Sequence, residues 1–410
     1  MSLSTGSPFF QTAEQRAALA RQRFFEESGR PTGLVSEAVI QSWSRCQSLG
    51  HQPHRRAAVD PVSASALSAV RQRNRDLLLA AGQELSQLEA SLAGTGCRVL
   101  LTNATGVVVH ATDMPFAPDQ HMLDVAGRTG VRLSEDRVGT TAPGIVVRTG
   151  QACCVSAGEH YYEVFQGVHC AAAPIFDVHR RLAGVLDVST EGSPFGFDAA
   201  SVVGVFATSI ENRLLQAQSR EHVVLQFQTT PGLLDTPLQG LAALDGEGRV
   251  VWINTAGRRL LGRYPVGSAI GGADGPPEVA EAVFGTAPNA LLDLGLQASP
   301  GVLRLPNGLG IWLRARVQWR EGQDVRHTVA LSRPVAPVAD EPAAAVADAA
   351  DAAESSPASL ADANRRLIDT TLARNGGNVA RTARELGVSR GLLYRHLRRP
   401  NDGQDPHPPA

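Results

Sequence analysis

Apolar residues change their spacing several times along these 410 residues, and each change marks a new element. Between residues 63 and 94, Leu67, Val70, Leu77, Leu78, Leu85, Leu88 and Leu92 recur at roughly helical spacing with charged residues between them. That stretch predicts one long amphipathic helix. From Cys97 the pattern shortens to β-rich runs: CRVLLTN, a turn at Gly106, then VVVHAT, which together predict a hairpin. QACCVS, HCAAAPIFD and LAGVLDVST are further strand candidates, the last two joined by a turn over residues 178–181. Val202, Phe206, Ile210 and Leu214 then return to helical spacing. Helix, antiparallel strands and helix define an α+β module.

A second α+β module begins near Leu238, with LAALD, the turn GEG, VVWIN, a helix through Arg258 to Leu261, and the later strands VLRLP, GIWLRARVQW and VRHTVALSR. Residues 271–277 interrupt it with glycine and proline, and Trp252, Trp312 and Trp319 are assigned to its core or sheet faces. Residues 334–358 hold Asp340, Glu341, Asp348, Asp351 and Glu354 with no base and almost no large apolar side chain, so they predict a disordered acidic linker. Beyond it, Leu367, Ile368, Thr371 and Leu372 form the stripe of a helix over residues 360–374, stopped by Gly376 and Gly377. Asn378 is placed to cap a short helix to Leu386, Gly387 to make a turn, and Ser389 to cap a last helix to Arg399. Helix, tight turn and helix is the arrangement that sets a second helix into the major groove of DNA.

Charge sharpens that expectation. The whole chain is nearly neutral, with 40 acidic against 38 basic residues. Within residues 359–399, however, nine arginines face three acids, Asp362, Asp369 and Glu385, and phosphate attraction is the simplest cause. Leu393 and Leu397 should pack inward and leave Arg390, Tyr394, Arg395 and Arg398 near the opposite face. Every basic residue is arginine, so the lysine of a GxxxxGK phosphate loop and a Schiff-base lysine are both excluded.

Catalytic chemistry finds little support. No Ser-His-Asp order or pair of catalytic acids stands out, so the chain is read as a non-enzyme without cofactor. Cys153, Cys154, Glu159, His160, His169 and Cys170 lie within a few strands but lack CxxC or HxxxH spacing, and they are assigned to packing, with no metal. Five scattered cysteines make no disulfide framework. No apolar run approaches the roughly 18 residues that span a bilayer, and the polar N-terminus lacks the order of a signal peptide, so a cytoplasmic protein without a membrane partner is expected.

The string GGNVARTARELGVSRGLLYRHLRR closely resembles the Fis-type helix-turn-helix that ends many bacterial enhancer-binding activators. The resemblance places Asn378, Arg390, Tyr394 and Arg395 at DNA-contacting positions; Arg381, Ser389, Leu392 and Arg398 complete the candidate set. Ala380 departs from a usual Thr and Leu392 from a polar residue. Upstream, IQSWSRCQSLGHQP (40–53), VGTTAPG (138–144), GEHY (158–161), HCAAAPIFD (169–177) and LAGVLDVST (182–190) resemble the N-terminal and GAF segments of AcoR-like regulators of acetoin and glycerol metabolism. GLAALDGEGRVVWIN is similar to their PAS segment. Thr141 stands where those proteins carry Asn, and His169 where Trp is common.

The resemblance implies a multidomain α+β chain: an N-terminal helical segment (1–93), a GAF-like sensor (94–217), a PAS-like domain (218–333), the linker (334–358), an all-α Fis-type domain (359–400) and a disordered tail (401–410). GAF pockets receive small molecules, which makes Glu159, His160, Cys170 and Asp187 candidates for orienting an effector; the other reading of Glu159 and His160 is that they tie a loop to the domain. Trp43, Arg45 and Cys46 mark either an inter-domain contact or a plain amphipathic helix. The expected partners are a double-stranded operator, a small effector and a second copy of the chain. RNA polymerase or a full-length activator would be a further one. AcoR-like activators carry an ATPase before the linker, for which this chain leaves no room. The alternatives are a co-regulator that pairs with a complete activator and, more distantly, an enzyme using Cys170 in redox chemistry.

Overall fold

The computed structural model describes residues 12–112, 120–219, 222–262, 278–297 and 299–317, and also 372, 374, 375, 378, 379, 381 and 382. The chain divides into two compact units, Met1–Pro334 and Val335–Ala410.

The first unit starts at a capping box. Thr12 accepts from Gln15 N and Gln15 accepts from Thr12 N, which satisfies two exposed amides at the start of α1 (Ala13–Arg21). A π-helical turn, Gln22–Glu26, leads on to α2 (Glu37–Ser48), capped by Ser36. The stretch expected as one long helix is two, α3 (Ala64–Arg73) and α4 (Arg75–Ser91). The break falls at Asn74, where the backbone leaves the helical region (φ −104°, ψ 23°) and the side-chain amide donates to Val70 O at 2.8 Å. A local side-chain bond of this kind competes with the helical ladder.

Next come β1 (Arg98–Asn103), β2 (Val108–Ala111), the short helices α5 (His121–Ala126), α6 (Glu135–Val138) and α7 (Ala142–Thr149), and β3 (Cys153–Ser156). β4 (Val168–Phe176), β5 (Leu182–Glu191) and α8 (Ala199–Gln218) complete the module. The five strands form one antiparallel sheet in the order β2-β1-β5-β4-β3. Gly106 makes the β1–β2 turn at φ +79°, a backbone region that glycine occupies without steric cost.

Strand alternation divides the side chains between two cores. Leu100, Cys170, Ala172 and Val185 join Trp43, Ile145, Tyr161 and Phe165 on one face. Val99, Leu101, Ala171, Leu186 and Val188 face Leu77, Leu85 and Leu88 of α4 and Val203, Ile210 and Leu214 of α8 on the other. Because both faces are covered, the central strands read as almost unbroken apolar runs.

A second antiparallel sheet follows, built from β6 (Val223–Gln228), β7 (Gly240–Leu244), β8 (Arg249–Ile253), β9 (Glu278–Val279), β10 (Gly301–Arg304) and β11 (Gly310–Val317). Between its strands lie α9 (Thr255–Leu260), α10 (Ala280–Phe284) and α11 (Pro288–Gly295). The strand order is β10-β11-β6-β7-β8-β9. One face packs Leu225, Phe227 and Leu244 against Phe284 and Leu291, while the other sets Val224, Leu241, Ala243 and Trp252 against Leu215 of α8. Adjacent residues of one helix, Leu214 and Leu215, therefore serve different cores. Trp252 is buried and donates to Ser219 Oγ at 2.8 Å, and Trp312 is half-buried on β11. Trp319 and VRHTVALSR lie outside the described residues. β6 was not among the expected strands; its polar positions, Gln226 and Gln228, are buried, which blurs the alternation.

In the second unit Asn378 behaves as a helix cap. Its side-chain oxygen accepts from Arg381 N at 3.1 Å and its carbonyl from Thr382 N at 3.0 Å. Ser389, Arg390, Leu392, Tyr394, Arg395 and Arg398 lie outside the described residues.

Candidate functional site

A cavity of about 30 Å3 lies between the first sheet and the layer of α5, α7 and residues 157–166. A single water needs roughly 10–15 Å3 measured this way, so there is room for a molecule of a few heavy atoms. The wall is mostly apolar, with Leu100, Leu123, Leu133, Pro143, Phe165 and Val168, and its polar members are Thr141, His160, Cys170, Asp187 and Ser189. Three of the four expected effector residues, His160, Cys170 and Asp187, are thus brought together from different elements.

The fourth, Glu159, is directed elsewhere. Its carboxylate accepts from Ser156 N at 2.9 Å, closing a capping box, and its backbone carbonyl accepts from Trp43 Nε1 at 2.8 Å. It ties the loop to the domain.

Asp187 lies at the centre of β5, opposite Leu100 of β1 and Ala172 of β4. It is 1% exposed. Oδ2 accepts from Ser189 Oγ at 2.7 Å, while Oδ1 has no partner among the described residues. Burial pushes its pKa up to about 7, against a smaller opposing effect of the Ser189 bond.

His160 is fully buried. Its Nδ1 donates to Ala157 O at 3.1 Å, so in the neutral ring Nε2 is the acceptor and the Cys170 thiol, 3.6 Å away, is its donor. Burial lowers the His160 pKa to about 4, assisted by the nearby charges of His169 and Arg21. Burial likewise holds the Cys170 thiol well above its ordinary value, and the Asp187 charge adds to the effect. The pair is thiol and neutral imidazole. A reactive thiolate, which redox chemistry at Cys170 would require, is disfavoured by this environment.

The loop that delivers His160 and Phe165 is held from the N-terminal helices. Arg21 donates to the carbonyls of Gly158 (3.2 Å), His160 (2.6 Å) and Tyr161 (3.2 Å), and its guanidinium lies 4.8 Å from the Phe25 ring centroid and 5.9 Å from that of Trp43. Tyr161 and Tyr162 both bond His51, through its carbonyl and Nδ1 respectively. Gly139, at φ +66°, passes so close to Tyr162 that a Cβ there would stand 2.9 Å from the ring. Arg45 makes a bidentate pair with buried Glu135 at 2.7 and 2.6 Å, and Ser42 bonds Thr140 at 2.8 Å. The helix bearing Trp43, Arg45 and Cys46 is therefore docked onto the sensor-like core. Sequence reasoning missed Arg21; an arginine among apolar and aromatic neighbours was the available signal. Thr141 caps α7 through Gly144 N at 3.2 Å and also reaches the cavity wall.

Among the described residues no group of three or more His, Cys, Asp or Glu is placed to hold a metal, and no helix is long and apolar enough to cross a membrane.

This chain is similar in sequence to transcriptional regulators, and it ends in a Fis-type helix-turn-helix segment. Residues 359–399 match the family described as bacterial regulatory protein, Fis family, and residues 12–211 match the MimR N-terminal domain. The acetoin catabolism regulatory protein of Cupriavidus necator is 33% identical over 56% of this chain and 35% of its own length. The propane 2-monooxygenase operon transcriptional activator MimR of Mycolicibacterium goodii is 29% identical over 60% of this chain and 40% of its own. The chain thus spans well under half the length of these relatives. A chain in the crystal structure of the E. coli DhaR(N)-DhaL complex superposes on 68% of this one and 99% of itself with a TM-score of 0.41 at 16% identity, which is too distant to carry an argument.

Proposed function

We propose that the protein is a sequence-specific DNA-binding transcriptional regulator that senses a small effector through a GAF-like first module. In this reading the second sheet is a PAS-like module, the chain acts as a cytoplasmic homodimer, and Arg390, Tyr394, Arg395 and Arg398 meet the operator with Asn378, Arg381, Ser389 and Leu392. The observation that carries it is the cavity lined in part by His160, Cys170 and Asp187 in a chain that also bears a Fis-type segment. Effector binding would shift the population of arrangements of the helices leaving the sensor and so change how paired recognition helices meet two half-sites. Of the similar regulators named above, one is described as an acetoin catabolism regulatory protein and the other as a propane 2-monooxygenase operon transcriptional activator, which supports the class and leaves the effector open.

The regulator would act without an ATPase of its own. No lysine is present for a phosphate loop, and the second module passes into the acidic stretch of residues 334–358 with no space for such a domain. It would then work by operator occupancy, by contact with polymerase, or by pairing with a complete activator.

The test is genome-wide mapping of binding sites for the wild type and for the double variant Arg390→Ala, Arg395→Ala, followed by gel shift on the recovered operators. Each substitution should weaken operator binding by about 1–3 kcal/mol. Unchanged occupancy and affinity in the double variant would remove this helix as the reader.

A further inference from the structure

Every residue that lines the cavity is buried, from Leu100, Asp187 and Ser189 on the sheet to Leu133, Thr141 and Phe165 above it. A molecule of several heavy atoms therefore enters or leaves only when part of the wall yields. Most of that wall is firmly fixed. β1, β5 and β4 are inner strands, each bonded on both sides. α7 is capped by Thr141 and closes on Gly150 in the left-handed conformation. Arg21, Trp43 and His51 hold the loop over residues 157–166, and Leu133 N donates to Gly106 O at 2.8 Å.

The remaining part is α5, which supplies Leu123, Ala126 and, just past its end, Gly127. With six residues it is too short to be stable alone, and Gln120 at its start makes no side-chain cap. Among the described residues no backbone bond joins residues 121–127 to a strand. Side chains from one end of the sheet hold it instead. Arg98 donates to Leu123 O at 3.0 Å and to Asp124 Oδ1 at 2.6 Å, and Glu191 accepts from Leu123 N at 3.0 Å. Arg98 stands opposite Ser189 and shares a face with Leu100, which puts it at the rim of the cavity. The Arg98–Asp124 pair is largely withdrawn from water, with side chains 8% and 17% exposed, and yet incompletely satisfied. Arg98 Nε and Asp124 Oδ2 are buried with no partner among the described residues. Such a pair adds little net stability over a state in which both ions are hydrated, whereas loss of one charge leaves the other buried alone.

We propose that α5 is the door of the cavity and that the Arg98–Asp124 pair is its latch. This rests on the sensing reading above only in treating the cavity as a ligand site. Opening breaks the side-chain bonds from Arg98 and Glu191 and no ladder bond, so the sheet stays whole while α5 leaves it. Leu123, Ala126 and Gly127 touch whatever fills the cavity, so an occupant shifts α5 toward the shut position.

The experiment uses the full chain without added ligand and follows the accessibility of Cys170, which lines the cavity. The probe is methyl methanethiosulfonate, a small uncharged thiol reagent, and mass spectrometry assigns the label to each cysteine. Cys46, buried in the same core but outside the cavity wall, reports any general loosening. Asp124→Asn keeps the side chain's shape and removes its charge. It should raise the labelling rate of Cys170 at least about tenfold, the factor that one charge-assisted hydrogen bond supplies, with Cys46 unchanged. Hydrogen exchange of the wild type gives a measure that needs no variant: amides of residues 123–127 should exchange at least about tenfold faster than those of residues 145–149 in α7. Cys170 labelling that Asp124→Asn leaves unchanged, or accelerates only together with Cys46, would overturn the inference. So would α5 amides protected as well as those of α7. Operator affinity, measured by fluorescence anisotropy before and after Cys170 is labelled, separates the two readings. A filled cavity that leaves operator affinity unchanged would sink effector sensing while the latch stands.

Discussion

Asn254 donates its side-chain amide to Asn212 Oδ1 at 2.7 Å, which bonds the last turns of α8 to the residue that caps α9. The same Asn254 accepts from Leu241 N and Gly257 N and donates to Gln239 O, and it is 1% exposed. Beside it, Glu211 accepts from Phe176 N at the end of β4 and from both Thr255 N and Thr255 Oγ1. The strand that carries Cys170 is thereby connected through one buried carboxylate to the second module.

That network predicts cooperative unfolding of the two modules. Asn254→Ala removes a cap and strands several buried groups, so it should destabilise the second sheet by about 2–4 kcal/mol. Urea unfolding followed by both tryptophan fluorescence and hydrogen exchange should show one transition in the wild type and two in the variant. Coincident, unshifted transitions in the variant would refute the coupling.

Opposite pH dependences should be separable at the cavity. The folded-state pKa of Asp187 is raised to about 7, so the folded chain holds its proton where the unfolded chain does not, and its contribution to stability falls as pH rises from about 4 to 7. For His160, lowered to about 4, the unfolded chain binds the proton first, and stability falls as pH drops from about 6.5 to 4. Asp187→Asn should therefore gain on the wild type as pH rises across that window, by a few kcal/mol at pH 7. His160→Gln should gain as pH falls. Parallel stability curves for wild type and both variants would contradict these assignments.

Arg21 holds the cavity loop through three carbonyls, and Arg21→Ala should cost about 1–3 kcal/mol. Exchange of the amides at residues 158–163 should accelerate while those of β1 and β5 stay protected. Equal acceleration throughout the first sheet would show that Arg21 supports the whole core and not the loop.

If, as proposed, the regulator has no ATPase of its own, it should fail where such a motor is required. In vitro transcription with purified alternative-sigma polymerase, a cognate promoter and this protein as the only regulator should yield no open complexes dependent on ATP hydrolysis, although operator binding is retained. Appearance of such complexes would defeat the proposal.

What the order of residues determined by itself is the local and the repetitive. The short apolar runs CRVLLTN, HCAAAPIFD and LAGVLDVST specify strands because a short run apolar at nearly every position suits a strand covered on both faces, and GGNVARTARELGVSRGLLYRHLRR carries its family pattern within one contiguous stretch. Asn378 was legible as a cap because capping is a contact between near neighbours. Tertiary structure decided the rest. His160, Cys170 and Asp187 line one cavity, and Glu159 is turned away from it, only because a loop held by Arg21 and Trp43 is laid over two neighbouring strands. The break at Asn74 and the division of Leu214 and Leu215 between two cores were equally hidden. Burial of a polar group depends on what distant segments bring to it, and spacing along the chain records only which groups are available to be buried.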